Sequence, residues 1–201
     1  MSLFNYITNL LGLKDNNIIF NDNIESEQIR GITYKVLFAK LTYKANSCPC
    51  CNATSNLIIK YGTKTSKIKL LPLNGNPAIL NLKKQRFLCK KCNHTFTAKT
   101  NIVDQHCYIS NIVKQHILSN LTKKISEKDI AFMNYVSHST VTRCIDNDFK
   151  KFLPDLDCLP KQLCFDEFKS TKDIKGAMSF VYCDADTHKI IDIVETATLY
   201  A

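Results

Sequence analysis

Two pairs of cysteines constrain the fold of this chain more than any other feature of its sequence. Cys48 and Cys51 close one four-residue turn, and Cys89 and Cys92 close another. A turn of that size lets both sulfurs reach one tetrahedral ion at about 2.3 Å, and two such turns complete a four-thiolate zinc site. The 37 residues between the pairs exceed the roughly 15–20 of the commonest spacing. We therefore predict a β-rich, zinc-ribbon-like module with an extended hairpin, held by a structural zinc ion.

The same cysteines allow other interpretations. They could be packed thiols, or one pair could be a redox motif. Cys50 could also replace Cys51 as a ligand, although the spacing favours Cys51, and His94 and His106 are weaker ligand candidates. The other six cysteines lie in apolar patterns and are expected to be small buried hydrophobic residues. They are Cys50, Cys107, Cys144, Cys158, Cys164 and Cys183.

The segment around the cysteines is strongly basic. Between Gln28 and Val103 there are fourteen Lys or Arg residues and no Asp or Glu, whereas the rest of the chain has 13 basic and 18 acidic residues. This charge distribution predicts a polyanionic partner, and nucleic acid is the first candidate. Any single lysine could equally be a solvated residue on a strand. The candidate phosphate contacts are Lys60, Lys64, Lys67, Lys69, Lys83, Lys84, Arg86, Lys90 and Lys91.

The periodicity of apolar residues predicts an α+β multidomain chain. A short helix is expected to end at Gly12, and residues 15–23 are expected to form an Asn-rich linker. Strands are predicted at residues 32–43, 56–61, 67–71 and 78–88, with a turn at residues 72–77. The predicted domains are residues 1–30 (helix and linker), 31–104 (basic zinc-binding module), 105–153 (helical module) and 161–201.

The helical module has the pattern of a helix-turn-helix. Residues 109–149 contain no Gly or Pro, Ser126 is a predicted N-cap, and Ser139 is predicted to cap a third helix after a turn. Asn134 and Tyr135 are atypical for the motif, and an unspecific three-helix bundle is the alternative. The face predicted to meet a DNA groove carries Thr140, Thr142, Arg143, Asp146 and Asn147.

Residues 161–201 are predicted to form three strands, at residues 163–168, 177–183 and 189–194. The first strand contains Asp166 and Glu167 between apolar residues. A buried carboxylate is costly unless it is paired or binds a metal ion. One of the two acids is therefore expected at a strand end or facing a cleft, and the acids after residue 183 are expected in a turn or exposed.

These motifs together resemble bacterial insertion-sequence transposases of the ISL-three type. The resemblance covers the chain from about residue 32 onward. It rests on the two cysteine motifs, the helix-turn-helix, Phe-Asp-Glu-Phe at 165–168 and Cys-Asp-Ala-Asp-Thr-His at 183–188. It implies a ribonuclease-H-like domain with a DDE triad that binds two divalent metal ions, which activate a water or a DNA 3′-hydroxyl.

By position, Asp166 matches the first carboxylate of that triad. The second Asp and the final Glu of the family would lie downstream of anything present, so we expect a truncated transposase with the first three strands of an incomplete domain. It is then expected to be catalytically inactive, with Mg²⁺ bound only in a full-length homologue. Residues 196–201, after Glu195, could be out-of-frame sequence.

The predicted function is recognition of terminal inverted repeats in DNA transposition, a form of DNA recombination. The expected partners are double-stranded DNA and a second copy or a full-length transposase. The predicted DNA contacts are Lys64, Lys67, Lys69, Lys83, Lys84, Arg86, Ser139, Thr140, Thr142 and Arg143.

Two other functions remain open on the sequence. One is a small zinc-dependent helix-turn-helix transcriptional regulator, and the other is a nuclease or transferase that completes its site by oligomerising. The sequence contains no apolar run near the ~18 residues of a membrane span, and its start does not resemble a secretory signal. The protein is therefore expected in the cytoplasm, associated with the nucleoid and not with a membrane.

Overall fold

A computed structural model of the chain describes residues 8, 10–151, 159–170 and 178–194. The chain forms two compact units, Met1–Asn147 and Asp148–Ala201. Most of the predicted N-terminal helix lies outside the described residues. Gly12 does adopt a left-handed conformation (φ +64°), and the amide of Leu13 bonds the carbonyl of Thr8 at 2.9 Å, as at a helix C-terminus.

The first unit is built on a five-stranded sheet. Four strands run in the order β1-β2-β4-β3, and a short β5 pairs with β4. Strands β2 and β4 are parallel, whereas the other neighbours are antiparallel. The strands are β1 (Ile18–Ile29), β2 (Ile32–Leu41), β3 (Ile58–Leu73), β4 (Asn76–Cys89) and β5 (Thr95–Thr97). The long β3–β4 hairpin joins the two cysteine pairs, as predicted for an extended zinc ribbon.

Two of the predicted boundaries in this sheet were wrong. The residues predicted as a linker enter strand β1 at Ile18, which pairs with β2 through nine register partners ending at Ile29. The two strands predicted at residues 56–61 and 67–71 are one strand, β3, whose pairing with β4 shifts between Lys60 and Thr63. Gly62 lies in that irregularity with φ +73°, so the residue interpreted as a break accommodates a β-bulge.

The apolar core packs against one face of the sheet, along the first half of strand β4. Leu37, Leu80 and Ile68 are register partners on adjacent strands and are almost fully buried. They are covered from outside the sheet by residues such as Leu13 and Ile102, in the same apolar cluster. Strand β4 then buries its other face, through Phe87 and Cys89. The strand therefore changes its buried side between the core and the cysteine site.

Three helices follow in the first unit: α1 (Asn111–Asn120), α2 (Glu127–Met133) and α3 (His138–Phe149), the last of which continues two residues past the end of the unit. They share a small core that includes Val113, Ile130 and Val141. Ser126 caps α2 as predicted, since its hydroxyl accepts the amide of Asp129 at 3.2 Å. Helix α3 begins at His138, so the predicted cap Ser139 lies inside the helix, and the preceding residue is Ser137.

The second unit contains a three-stranded antiparallel sheet in the order β6-β7-β8. Its strands are β6 (Leu163–Lys169), β7 (Met178–Asp184) and β8 (Ile190–Val194), close to the three predicted. Every residue of β6 is exposed, so Asp166 and Glu167 are not buried.

Among the described residues, no helix combines the length and apolar character needed to cross a membrane.

Candidate metal centre and nucleic-acid interface

Four cysteine sulfurs converge at the end of the β3–β4 hairpin. The Sγ atoms of Cys48 and Cys92 are 3.7 Å apart, and those of Cys51 and Cys89 are also 3.7 Å apart. All four sulfurs lie within 4.8 Å of one another. A tetrahedron with Zn–S bonds of about 2.3 Å has edges of about 3.8 Å. The donor set therefore fits Zn²⁺ in size, geometry and chemistry.

The two halves of the site have the same backbone structure. In each half, the residue that follows the second cysteine donates its backbone amide to the carbonyl of the first cysteine. Asn52 donates to Cys48 and Asn93 donates to Cys89, both at 2.9 Å. Asn52 and Asn93 have φ of 53° and 55°, a left-handed conformation that Asn tolerates better than most residues. The asparagines thus allow each turn to fold back sharply after its second ligand.

Backbone amides also prepare the sulfurs to act as thiolates. A hydrogen bond from the Cys51 amide is the main cause that lowers the pKa of Cys48 to about 7. The Cys92 amide similarly lowers the pKa of Cys89. The amides of Ala53 and His94 act the same way on Cys51 and Cys92, but burial and the neighbouring thiols raise the pKa of both. Four thiolates this close require a cation among them, which Zn²⁺ supplies.

The remaining candidate ligands do not join this centre. Cys50 is exposed and lies outside the group of converging sulfurs, so the spacing argument for Cys51 is confirmed. His94 is exposed and stacks on Phe96 with ring centroids 6.5 Å apart. The prediction that the other cysteines are buried was wrong for Cys107 and Cys164 as well as Cys50, which are exposed. Cys144 and Cys183 are half-buried, and Cys158 lies outside the described residues.

The predicted basic contacts divide between the two faces of the sheet. Side chains alternate along a strand, so β4 residues with odd numbers define an odd face and those with even numbers an even face. The odd face carries Lys83 and, from β3, the register-matched Lys60, Lys67 and Lys69. Lys40 of β2 is the register partner of Lys83 and adds to this face, although it is not among the predicted contacts. The even face carries Lys84, its register partner Lys64, and Arg86.

Lys69 has a partner within the protein. Its ammonium group donates a hydrogen bond to the carbonyl of Tyr135, in the turn between α2 and α3. Burial lowers the pKa of Lys69. The Tyr135 hydroxyl in turn donates to the carbonyl of Gly75 at the tip of the hairpin, at 2.7 Å. These contacts join the helices to the sheet, a role that the sequence did not reveal.

The face predicted for DNA contact on α3 is only partly exposed. Ser139 and Arg143 are exposed, as are Asp146 and Asn147. Thr140 is 7% exposed, because its position in the first turn faces the helical core, so its prediction as a groove contact was wrong. Thr142 is half-buried and donates to the Glu127 carboxylate at 3.1 Å.

Asp166 lies in the middle of β6, where its register partner is Val181 of β7. Its Oδ1 accepts the backbone amide of Glu167 at 2.8 Å. The predicted turn after residue 183 is present: Asp184 accepts the Thr187 hydroxyl at 2.7 Å. That bond is the main cause that lowers the pKa of Asp184. Among the described residues, the only cluster of three or more potential metal ligands is the four-cysteine site.

Comparison with known proteins identifies the cysteine module. Residues 44–92 match a family model for the zinc-finger of transposase IS204/IS1001/IS1096/IS1165. The match contains all four ligands and the complete β3–β4 hairpin. No curated protein and no solved structure matches the chain. The chain therefore contains a zinc ribbon similar to that of these transposases, with a structural zinc site, and this kind of module suggests a DNA-binding role.

Proposed function

We propose that this protein binds the terminal inverted repeats of an insertion sequence, as the DNA-recognition part of a transposase of the ISL-three type. The observation that carries the proposal is the four-thiolate site inside a transposase-type zinc ribbon. The ribbon lies in a segment that has fourteen basic and no acidic residues. A protein with this role is expected at the nucleoid, with double-stranded DNA as its partner.

The proposed binding divides between two kinds of contact. Lysines on the sheet provide attraction to phosphates, which positions the protein without reading sequence. The α2–turn–α3 segment acts as a helix-turn-helix, and exposed residues such as Ser139 and Arg143 contact base edges. The link from Lys69 and Gly75 to Tyr135 supports this division, because it holds the turn against the basic hairpin.

We also propose that Asp166 corresponds to the first carboxylate of the family's DDE triad. It is exposed on the first strand of an antiparallel sheet, a position that leaves the carboxylate accessible. Together with the other two acids of a complete triad, Asp166 would hold Mg²⁺, which activates the attacking hydroxyl. This role concerns the second unit and is independent of DNA recognition by the first.

Fluorescence-anisotropy titration tests the proposed function. The full chain is titrated against labelled duplexes from the element's ends and against scrambled duplexes of equal length, with zinc bound and after chelation. We expect tighter binding to the end sequences, and we expect chelation to remove that preference because the zinc site holds the hairpin.

Binding that does not distinguish the two duplexes would contradict recognition of the element ends. Preference for an operator upstream of a gene over the element ends would instead favour a transcriptional regulator. Affinity that does not change between low and moderate salt would contradict phosphate contacts by the lysines.

A further inference from the structure

Strand β3 forms an exposed edge of the sheet, and cations lie along this edge on both faces of the sheet. Its strand partner is β4, which is flanked on its other side by β2 and β5. The outer side of β3 is bridged at Lys69, whose backbone bonds residues 108 and 110, so the open edge is the part before that residue. Every residue from 59 to 65 is exposed, as is Lys67. An exposed edge presents unpaired backbone N–H and C=O groups that can bond another molecule.

Apart from Lys69, whose ammonium group bonds the Tyr135 carbonyl, six cations of β3 and β4 divide equally between the two faces. The odd face carries Lys60, Lys67 and Lys83, and the even face carries Lys64, Lys84 and Arg86. None of the six forms an ion pair with a carboxylate among the described residues. A flat DNA-binding surface would need cations on one face only.

The even-face cations are placed where they repel one another. Lys64 and Lys84 are direct cross-strand partners, an arrangement that is unfavourable for like charges. Burial, and then the charge of Lys64, lower the pKa of Lys84. Arg86 lies two residues farther along the same face, with its guanidinium 5.9 Å from the centre of the Tyr61 ring. An anion on this face would relieve the repulsion.

We propose that the β3 edge enters the major groove of DNA edge-on, with the cations of its two faces against the phosphates of the two strands. A β-sheet with its side chains is about 10 Å thick, and the major groove is about 12 Å wide. The exposed backbone groups of β3 then face the base edges. This proposal rests on the proposed function, because it specifies how the zinc module contacts DNA.

Matched pairs of substitutions test the geometry in the full chain. Lys60→Gln/Lys67→Gln neutralises two odd-face cations, and Lys64→Gln/Lys84→Gln neutralises two on the even face. Lys14→Gln/Lys99→Gln is the control, since both residues are exposed and neither belongs to β3 or β4. We expect each face variant to reduce the slope of log K against log salt by about 1.8, at about 0.9 for each phosphate contact. The control should keep the wild-type slope.

A second measurement identifies the groove. In duplexes that contain glucosylated hydroxymethylcytosine, the glucose groups fill the major groove. Netropsin occupies the minor groove. We expect glucosylation to weaken binding at least tenfold and netropsin to change it less than twofold. Zinc content and circular dichroism establish that each variant is folded. If Lys64→Gln/Lys84→Gln loses zinc, Lys64→Gln/Arg86→Gln replaces it as the even-face variant.

Two outcomes of the salt titrations would overturn edge-on insertion and leave the proposed function intact. In one, the slope of log K against log salt falls in only one of the two face variants. In the other, it falls in neither variant although the wild-type protein binds DNA. Competition by netropsin without an effect of glucosylation would likewise overturn it. If the wild-type protein binds no DNA, the proposed function fails as well.

Discussion

At the scale of single residues, the zinc site depends on which cysteine ends each turn. The Cys50 side chain is exposed although it adjoins a ligand, while Cys89 is fully buried with its sulfur 3.7 Å from that of Cys51. We therefore expect Cys89→Ser to lose zinc and to unfold the cysteine end of the hairpin, whereas Cys50→Ser retains one zinc ion for each chain. A colorimetric assay of zinc released from the purified variants measures this difference. Loss of zinc from Cys50→Ser would contradict the assignment of Cys51 as the ligand.

Lys69 and Lys67 differ in role although they lie two residues apart on the same face. Lys67 is exposed, whereas Lys69 is half-buried and bonds the Tyr135 carbonyl. We expect Lys67→Met to lower the salt slope of DNA binding by about 0.9, as for one phosphate contact, and Lys69→Met to leave it unchanged. Salt titrations of the two variants measure the slopes. Equal losses of slope would show that Lys69 reaches DNA.

At the scale of secondary-structure elements, the sequence predicted those strands and helices whose signals are local. The turn at residues 72–77 contains Asn74 and Gly75, both with positive φ, so its residues indicate the β3–β4 hairpin directly. Strand β1 was missed because, after Phe20, it consists mainly of polar residues with low strand propensity. It forms by pairing with β2, which is a property of the sheet and not of the segment itself.

The turn between α2 and α3 is another element whose stability depends on distant residues. Tyr135 has φ +51°, a strained conformation for an aromatic residue, and its hydroxyl bonds the Gly75 carbonyl at 2.7 Å. We expect Tyr135→Phe to reduce the free energy of unfolding by about 1 kcal/mol, the typical net value of one hydrogen bond. Urea denaturation measures the change, with Tyr34→Phe as the control because no described hydrogen bond involves that hydroxyl. A loss as large for Tyr34→Phe would contradict this explanation.

At the scale of the whole molecule, local patterns predicted the components but not their arrangement. The sulfurs of Cys48 and Cys92 could be assigned to one site from spacing, because zinc dictates how its ligands meet. The parallel pairing of β2 with β4 and the division of the cations between two faces depend on sheet order and on the bulge at Gly62. Neither is determined by periodicity within one segment. The boundaries between the zinc and helical modules, both inside the unit Met1–Asn147, stay a prediction.

The division of the chain into two units predicts that DNA recognition and the Asp166 carboxylate can be separated by mutation. The zinc site and the basic sheet belong to Met1–Asn147, whereas Asp166 belongs to Asp148–Ala201. We expect Asp166→Asn to keep its zinc content and to bind element-end DNA within twofold of the wild type. Cys89→Ser, which removes a ligand in the first unit, should lose the preference for that DNA. Anisotropy titrations of both variants beside zinc assays make the comparison. If Asp166→Asn weakened DNA binding as much as Cys89→Ser, recognition could not be a property of the first unit alone.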